Sequence, residues 1–425
     1  MKKILKFGGS SIANAERIKN VVSIIENTLN SSHEIFVVIS AFQGVTDALI
    51  KIGTNVRDGK HTETSLPEIL VKHEEIIMQL GLDTDMELGT VFKQLSSELE
   101  QHIPRCPGAS IDFKMWQDEL LSFGELFSAR ILSALLRSKR IDAELLDARK
   151  VVVTDSDYGS AYVHYQRSYD RIRSYIMNRS RLQIITGFLG ANEYGKTTTL
   201  GRSGSDYSAS IFGAALNVDE IEIWTDVDGI LTANPKFVNE PRSISELTYE
   251  EAMELAHAGA KVIFPPTMIP ALYKHIPIIV KNTFHPELPG TRIAQERVLA
   301  GEITVGISSV SNVSLIRMQG AGMVGVKGIN ARLFTCLADK GISVMLVSQA
   351  FSEHSTCFAV KPEETNLALM LIDDEFAKEI KAKYIDSILV DNELSLVAVV
   401  GEGMQNTPGI AGLVFEVLGR ERINV

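Results

Sequence analysis

The chain has 425 residues, of which 45% are apolar and 22% are charged, and its formal net charge is −11. A chain of this length can bury a sizeable core, and we expect two or three domains rather than one. The negative balance argues against nucleic acid as a partner, because a polyanion is bound by a basic surface. No apolar run approaches the roughly 20 residues of a membrane span, so we expect a soluble protein with no membrane partner.

Cysteine usage and the first residues both favour the cytoplasm. Cys106, Cys336 and Cys357 form neither an even disulfide set nor a metal-ligand spacing, which fits a reducing compartment. After Met1-Lys2-Lys3 a short segment, ILKF, leads into glycine and serine, and the long hydrophobic segment of a secretory signal is missing. We therefore expect a cytoplasmic protein in which the three cysteines are core thiols.

Residues 1–295 alternate strand-like and helix-like segments. The predicted strands are short, β-branched and bounded by Gly, Ser, Asp or Pro; they are Lys3–Phe7, Ile35–Ile39, Val151–Thr154, Leu182–Phe188, Ile221–Thr225 and Pro277–Lys281. The helical patterns between them include Asn14–Thr28, Met115–Leu136 and Ser245–His257. This alternation predicts an α/β domain with a mainly parallel sheet covered by helices on both faces. In such folds ligands bind at the carboxyl ends of the strands.

The first strand runs into a cationic glycine loop, KILKFGGSS, at residues 3–11. Its two glycines allow backbone amides to approach a bound group closely. The serine hydroxyls and loop amides can hold phosphate oxygens, and Lys6 supplies a point charge. The loop therefore predicts a phosphate site, with a Gly-Ser turn before a capped helix as the alternative.

The segment GANEYGKT, at residues 190–197, matches the letters of a phosphate-binding loop. That loop works only when a helix begins at its Lys-Thr pair and directs amide groups at the phosphates. A run of threonines and glycines follows here, and such residues do not open a helix. We therefore predict a hairpin turn between two strands.

The segment TLGRSGSDYSASIFGAAL, at residues 199–216, is the second candidate loop. Ser205 or Asp206 is placed to cap a helix whose apolar positions follow, and Arg202 precedes that helix. A guanidinium beside a helix amino terminus can bind two oxygens of a carboxylate or phosphate. The alternative is an ordinary N-cap with an exposed arginine.

Two later segments complete the candidate loops. In EIWTDVDGILTANPK, residues 222–236, a buried strand is followed by Thr225-Asp226 and then by a tight turn at Asp228-Gly229. This edge could receive a nucleotide or form an Asx turn. In HAGAKVIFPP, residues 257–266, Lys261 follows a helix that a glycine ends. A solvated lysine at the end of a helix is the alternative for Lys261.

The C-terminal part contains an internal repeat, in which residues 314–344 align with residues 395–425 without a gap. Each copy predicts a strand, a glycine-bearing loop, a helix and a second strand. The second copy stops at Val425, where its next strand should begin, and ending there would leave an unfinished sheet edge. We therefore expect the chain to be part of a longer protein.

Seven motifs, in a fixed order, resemble those of the aspartate kinases of the amino-acid kinase superfamily. They are KFGGSS, SAFQGVTD, FGE, the GF pair at 187–188, TTLGRSGSDYSA, EIWTDVDGI and GAKV. The repeat is similar to the paired regulatory ACT modules of that family. The segment SQAFSEHS is similar to threonine-responsive members, particularly the kinase half of bifunctional aspartokinase–homoserine dehydrogenases. The resemblance implies an amino-acid kinase domain at 1–295, a first ACT module at 306–390 and an incomplete second module at 391–425.

The resemblance implies transfer of the γ-phosphoryl group of ATP, with Mg²⁺, to the side-chain carboxylate of L-aspartate, the first step of lysine, threonine and methionine biosynthesis. It implies catalytic roles for Lys6, Asp206 and Lys261, and no metal site of the chain's own. The implied aspartate site consists of Ser40, Thr46, Glu125, Phe188, Arg202 and Ser205. The implied nucleotide site consists of Lys6, Gly8, Gly9, Ser10, Thr225, Asp226, Leu231, Lys236, Lys261 and Val262.

The resemblance also implies an amino-acid effector at Gln349, with threonine favoured over lysine, and a homo-oligomer of two or more subunits. Because the second module is incomplete, we expect weak inhibition by threonine. Two positions depart from the family, since Lys236 stands where an arginine is common and Phe264 where a histidine is common. The alternatives are a kinase for another small carboxylate or carbamate, and a non-catalytic amino-acid sensor.

Overall fold

The structure, a computed structural model, describes residues 1–31, 34–60, 65–177, 179–257, 259, 262–297 and 303–425. The chain forms two compact units. The first unit comprises Met1–Gly306 together with Val400–Val425, and the second comprises Ile307–Val399. Within the described ranges, no helix is both long enough and apolar enough to cross a membrane.

The strands are β1 (Lys2–Phe7), β2 (Glu34–Ile39), β3 (Glu144–Leu146), β4 (Leu182–Thr186), β5 (Leu189–Ala191), β6 (Thr197–Thr199), β7 (Glu220–Thr225), β8 (Glu246–Thr248), β9 (Ile278–Asn282), β10 (Thr291–Ala294), β11 (Gly306–Gln319), β12 (Leu346–Gln349), β13 (Ser355–Val360) and β14 (Ser387–Val400). The α-helices are α1 (Ala15–Ser31), α2 (Val45–Arg57), α3 (Ser65–Gln79), α4 (Met86–His102), α5 (Phe113–Ser138), α6 (Tyr165–Ile176), α7 (Gly204–Leu216), α8 (Tyr249–His257), α9 (Pro265–Tyr273), α10 (Ile329–Ala338), α11 (Pro362–Glu375), α12 (Ala377–Lys381) and α13 (Ile410–Arg420).

The first unit is built on an eight-stranded sheet in the order β3-β4-β2-β1-β7-β9-β10-β8. The strands from β3 to β9 in that order pair in parallel, β10 is antiparallel to β9, and β8 is parallel to β10. The central strands are buried almost throughout, as expected for a parallel sheet with both faces covered. The predicted mainly parallel α/β fold is confirmed.

Helix α5 is the long buried helix of the first unit. It has 26 residues, of which a nearly continuous run from Leu120 to Leu136 is buried. Such a helix, apolar on most of its sides, is expected inside a core rather than on a surface. It places two acidic residues, Asp118 and Glu125, in the interior of the unit.

Most predicted elements of the first unit are confirmed, with three corrections. Residues 151–154 do not form a strand of the sheet, because Val153 and Thr154 make only isolated bridges, to Ala191 and Val163. The helix predicted from Ser245 begins at Tyr249, after the short strand β8. Thr248 and Glu251 exchange hydrogen bonds between side chain and backbone at 3.0 and 3.1 Å, a capping box that fixes this start.

The third correction concerns the start of α7. Gly204 is its first residue and Ser203 occupies the N-cap position, so Ser205 and Asp206 lie in the first turn and do not cap the helix.

The predicted hairpin at residues 190–197 is confirmed, because β5 and β6 pair antiparallel around that turn. No helix follows its lysine, since residues 197–199 are strand β6.

The second unit contains a four-stranded sheet in the order β12-β13-β11-β14. Its core packs side chains of β11 and β13 against those of α10 and α11, among them Ile316, Leu333, Phe358 and Ile372. Strand β14 spans residue 391, and the division of this region into 306–390 and 391–425 stays a prediction.

The sequence repeat is also a repeat of backbone conformation. Gly320 and Gly401 follow their strands with φ values of 174° and 165°. Gly328 and Gly409 each precede a helix with φ values of 91° and 94°. These last two values lie in the left-handed region that favours glycine, which explains why both copies keep glycine there.

Candidate active site

The predicted glycine loop lies at the carboxyl end of β1, between β2 and β7. Gly8 donates its N–H to the Trp224 carbonyl at 3.2 Å, at the end of β7. Ser40 donates its N–H to the Phe7 carbonyl at 3.2 Å, just after β2. Because neighbouring parallel strands end at the same edge, three of the predicted motifs meet there.

A cavity of about 770 Å³ opens at this edge, within the first unit. It is large enough for a small ligand and part of a second one. Nine residues that the sequence singled out line it: Lys6, Gly9, Ser40, Thr46, Glu125, Phe188, Arg202, Ser205 and Asp206. All six residues of the implied aspartate site are among them, although they come from segments far apart in the chain.

Lys6 and Asp206 form a largely buried ion pair in the cavity wall. Lys6 Nζ lies 2.6 Å from Asp206 Oδ1, and each side chain is 11% exposed. Lys6 is on β1 and Asp206 is in the first turn of α7, where a carboxylate is also favoured by the helix dipole. The pair therefore holds a cation at a fixed place beside the glycine loop.

Glu125 is a buried carboxylate that is only partly hydrogen-bonded. Its residue is 3% exposed, and its Oε1 accepts the Ala41 N–H at 3.1 Å. Its Oε2 has no hydrogen-bond partner among the described residues. Burial raises the pKa of Glu125 to about 8, because the charged form loses water that the backbone hydrogen bonds do not replace. A cationic ligand group would supply the missing partner.

Phe188 and Gly204 both line the cavity and pack closely against each other. Phe188 has φ of 68°, and its N–H is bonded to Ser208 Oγ at 2.9 Å. A Cβ on Gly204 would lie 2.5 Å from Phe188 Cδ2, so only glycine fits where α7 begins. The close packing fixes the ring of Phe188 against the start of that helix.

Arg202 stands at the mouth of the cavity and is exposed. Its guanidinium lies over the ring of Phe264, 5.5 Å from the centroid, in a cation–π arrangement. In the part of the chain that the structure describes, no carboxylate pairs with it. A planar guanidinium that is not paired with a protein carboxylate can bind a ligand carboxylate through two parallel hydrogen bonds.

Asp118 lines the same cavity and was missed by the sequence reasoning. It lies two helical turns before Glu125 on α5, so the i, i+7 spacing of two acids on one buried face was the available sequence pattern. Burial raises its pKa, opposed by hydrogen bonds from Thr199 and Gly159. The backbone segments that donate these bonds could not be identified from local sequence.

The implied nucleotide residues lie partly at the same sheet edge. Thr225 ends β7 and donates its hydroxyl to Asp226 Oδ1 at 3.2 Å. Asp228, predicted at the same edge, accepts a hydrogen bond from Asn282 Nδ2 at 2.6 Å, and this partner was not predicted from the sequence. Leu231 and Val262 are half-buried and Lys236 is exposed, and none of these three lines the large cavity. Lys261 lies outside the described residues.

Gln349 lies in the second unit, at the end of β12, and is exposed. Its Oε1 accepts a hydrogen bond from Asn330 Nδ2 at 3.0 Å. Asn330 Oδ1 in turn accepts from the Thr356 hydroxyl at 3.1 Å. The three side chains form one polar cluster at the start of α10.

Comparison with known proteins agrees with this fold. Residues 1–282 match the amino acid kinase family, and residues 316–376 and 397–425 match the ACT domain. Aspartokinase 1, chloroplastic, of Arabidopsis thaliana is 33% identical over 434 residues, covering 99% of this chain and 74% of the relative. The structure of E. coli aspartokinase III in complex with aspartate and ADP matches with a TM-score of 0.82 at 28% identity, covering 98% of this chain and 91% of that one.

The chain therefore belongs to the amino acid kinase family, and within it to the aspartokinases. It is also 34% identical over 443 residues to bifunctional aspartokinase/homoserine dehydrogenase 2, chloroplastic, of A. thaliana. That match covers 100% of this chain and 47% of the relative, so the chain spans about half the length of the first curated relatives it matches.

Proposed function

We propose that this chain is an aspartate kinase, which transfers the γ-phosphoryl group of ATP to the side-chain carboxylate of L-aspartate. The observation that carries this proposal is the single cavity in which Arg202, Glu125 and the Lys6–Asp206 pair come together. The bond from the γ-phosphorus to the bridging oxygen breaks, a bond to the carboxylate oxygen forms, and ADP leaves with the electron pair. The products are 4-phospho-L-aspartate and ADP.

The charges of the cavity match those of aspartate. Arg202 can bind the α-carboxylate through two hydrogen bonds, and Glu125 Oε2 can accept the α-ammonium group as its missing partner. Ser40, Thr46 and Ser205 supply hydroxyl groups on the remaining wall, and Phe188 closes the apolar side. A site with both signs of charge selects an amino acid over a simple dicarboxylate.

The reaction needs positioning and charge neutralisation more than acid–base chemistry. The attacking carboxylate is already an anion, so no general base is required, and the barrier comes from bringing two anions into line. Lys6 is the cation that faces the transferring phosphoryl group, and Asp206 keeps its ammonium in place. Gly9 and Ser10 are proposed to offer backbone N–H groups to the phosphate oxygens. Gly8, whose N–H is bonded to the Trp224 carbonyl, is proposed to leave room for the phosphate beside Lys6, because a Cβ there would lie 3.4 Å from Lys6 Nζ.

The nucleotide extends from the glycine loop along the edge formed by β1 and β7. Thr225 and Asp226 are proposed to receive it, because Gly8 is bonded to the carbonyl of the residue before Thr225. Leu231, Lys236, Lys261 and Val262 are proposed to complete its enclosure. A lysine at 236 supplies charge without the planar fork of arginine.

Magnesium is proposed to arrive bound to ATP. Mg²⁺ is usually held by one or two carboxylates together with phosphate oxygens, and it neutralises phosphate charge when bound. Asp206 fits the role of such a carboxylate, because it lies in the cavity wall beside Lys6. Within the described ranges, no group of three or more acidic, histidine or cysteine side chains forms a metal cage.

The second unit is proposed to bind an amino-acid effector near Gln349, with threonine favoured and lysine as the alternative. The Gln349–Asn330–Thr356 cluster offers both donors and acceptors to a zwitterion. We propose a homo-oligomer of two or more subunits, in a reducing compartment such as the cytoplasm, although several relatives are chloroplastic. Biosynthesis of lysine, threonine and methionine is the proposed metabolic role.

The test is a product assay with ATP, Mg²⁺ and one acceptor at a time. Aspartate, glutamate, acetylglutamate and carbamate are compared by ADP release, and hydroxylamine is added to trap an acyl phosphate as its hydroxamate. We expect ADP and hydroxamate in equal amounts with aspartate only. ADP release without hydroxamate, or a preference for another acceptor, would contradict the proposal, and no turnover with any acceptor would favour a non-catalytic sensor.

A further inference from the structure

Asp118 is a buried acid whose hydrogen bonds all come from neutral donors. It is 1% exposed on α5. Its Oδ2 accepts the N–H groups of Thr199 at 2.9 Å and Gly159 at 3.0 Å, and its Oδ1 accepts the Thr199 hydroxyl at 2.7 Å. A buried carboxylate is costly unless donors converge on it, so this arrangement marks a place where several segments must be held together.

Asp118 is hydrogen-bonded to two segments. One of them leads into the turn containing Arg202, and the other packs beside that turn. Thr199 ends β6, and the turn of residues 200–203 leads from it into α7. The Ala161 N–H donates to the Thr199 carbonyl at 2.9 Å, so the loop containing Gly159 runs beside Thr199. A Cβ on Gly201, whose φ is 73°, would lie 3.3 Å from the Gly159 carbonyl oxygen. The turn therefore rests on the neighbouring loop, and Asp118 anchors both.

The alternative role for Asp118 is direct electrostatic contact with the ligand, since it lines the same cavity as Glu125. The hydrogen bonds argue against that role. One carboxylate oxygen already receives two N–H groups and the other receives a hydroxyl, whereas Glu125 keeps an oxygen without a partner among the described residues. Both carboxylate oxygens of Asp118 are therefore used to bind neighbouring segments of the protein.

We infer that Asp118 is a positioning residue that fixes the turn carrying Arg202 and thereby sets the affinity for the α-carboxylate of the amino-acid substrate. The identity of the ligand in this inference depends on the proposed function, whereas the anchoring role is argued from the hydrogen bonds alone. Binding energy for an anion is lost when the guanidinium is displaced by even a fraction of its hydrogen-bond length.

Two substitutions distinguish the loss of the three hydrogen bonds from the loss of the negative charge. In Asp118→Asn the amide oxygen can accept both backbone N–H groups and the amide nitrogen can donate to the Thr199 hydroxyl, so the three bonds remain while the charge is lost. In Asp118→Ala all three bonds are lost. Glu119→Gln is the matched control, because Glu119 is the next residue on α5 and its side chain is 57% exposed.

The kinetic measurement is KM for aspartate and KM for ATP in each variant. We expect Asp118→Ala to raise KM for aspartate about tenfold or more with little change in KM for ATP, and Asp118→Asn to restore most of the loss. Equal impairment in Asp118→Asn and Asp118→Ala would show that charge is what matters and would overturn the inference. An unchanged KM for aspartate in Asp118→Ala would overturn it as well.

Amide hydrogen exchange without substrate tests the anchoring independently of activity. We expect faster exchange at residues 157–161 and 199–203 in Asp118→Ala than in Asp118→Asn, Glu119→Gln or the unchanged chain. If Asp118→Ala does not fold, Thr199→Val removes the hydroxyl bond alone and should give a smaller change of the same kind. If the unchanged chain does not phosphorylate aspartate, the proposed function fails, and equal exchange in all variants would still reject the anchoring.

Discussion

Lys6 Nζ lies 2.6 Å from Asp206 Oδ1, which joins the end of the first strand to the first turn of α7. The two residues are 200 positions apart in the chain, and both line the cavity. Each is 11% exposed, so the pair is held in place more firmly than a surface ion pair. A fixed cation at this position is what transfer between two anions requires.

Replacement of Lys6 by Met should lower kcat strongly. Loss of one preorganised donor to a developing charge typically costs about 10²–10³-fold in kcat, and Met keeps the apolar stem of the side chain. Lys2→Met is the control, because Lys2 is on the same strand and its ion pair with Glu34 is at the surface. Steady-state kinetics measure both variants, and a kcat for Lys6→Met equal to that of Lys2→Met would remove Lys6 from the mechanism.

Replacement of Arg202 by Lys should raise KM for aspartate while leaving KM for ATP nearly unchanged. Lysine keeps the positive charge but cannot form two parallel hydrogen bonds with a carboxylate, and one bond to a charged group is worth about tenfold in affinity. Arg171→Lys, an exposed arginine on α6, is the control. If KM for ATP rises and KM for aspartate does not, Arg202 serves the nucleotide instead.

The kcat/KM for aspartate should increase with pH through about 8 and level off above it. Glu125 binds the α-ammonium group only when it is ionised, and its pKa in the empty site is raised to about 8 by burial. The pH dependence of kcat/KM reports groups of the free enzyme. We expect kcat/KM for ATP, measured at saturating aspartate, to lack this rise. A flat profile for aspartate between pH 6 and 8 would argue against Glu125 as the ammonium partner.

The Glu125→Gln variant should gain stability relative to the unchanged chain as the pH rises. The folded pKa of about 8 lies above the ordinary value of 4.5 for a glutamate, so between these values the folded state binds more protons than the unfolded state. The free energy of unfolding therefore falls with increasing pH through that window, by about 1.4 kcal/mol per pKa unit of difference. Glutamine removes this dependence.

Urea unfolding of the ligand-free protein at pH 5 and pH 8 measures the effect of Glu125. The stability difference between Glu125→Gln and the unchanged chain should grow in favour of the variant at pH 8. Glu119→Gln, six residues before Glu125 on the same helix, should show no such growth. A difference for Glu125→Gln that is the same at both pH values would contradict a raised pKa.

Substitution of Gly204 by Ala should destabilise the fold. The added Cβ would lie 2.5 Å from Phe188 Cδ2 and 3.2 Å from Leu200 Cβ, so the wall of the cavity must shift, at a cost of about 1–3 kcal/mol. Gly89→Ala in α4 is the control, since no atom lies within 4 Å of its added Cβ. That control should stabilise the chain by up to about 1 kcal/mol. Thermal unfolding with equal midpoints for the two variants would exclude the steric constraint.

The central strands were predictable because each is a short, buried, β-branched run between turn residues, as in β1, β2 and β7. Residues 151–154 have the same composition, yet their backbone groups bond to the β5–β6 hairpin and its neighbours. Strand β8 escaped prediction because it has three residues and precedes a helix directly. Local composition does not indicate which distant segment will satisfy a backbone group.

The candidate site was predictable where a motif carries its chemistry in consecutive residues, as Lys6 and Arg202 do. Asp118 was not predicted, and neither was the hydrogen bond from Asn282 to Asp228. In both cases the bonded residues come from distant segments of the chain. Glu125 was predicted through the family resemblance, but its raised pKa was not. The raised pKa arises from burial that the backbone hydrogen bonds do not offset, which only the three-dimensional arrangement reveals.

Crystals grown with L-aspartate and a non-hydrolysable ATP analogue test the central claim most directly. The account predicts aspartate in the 770 Å³ cavity, with its α-ammonium group on Glu125, its α-carboxylate on Arg202, and its side-chain carboxylate facing the γ-phosphate beside Lys6. Aspartate bound outside this cavity, or with its side-chain carboxylate on Arg202 and away from Lys6, would contradict it.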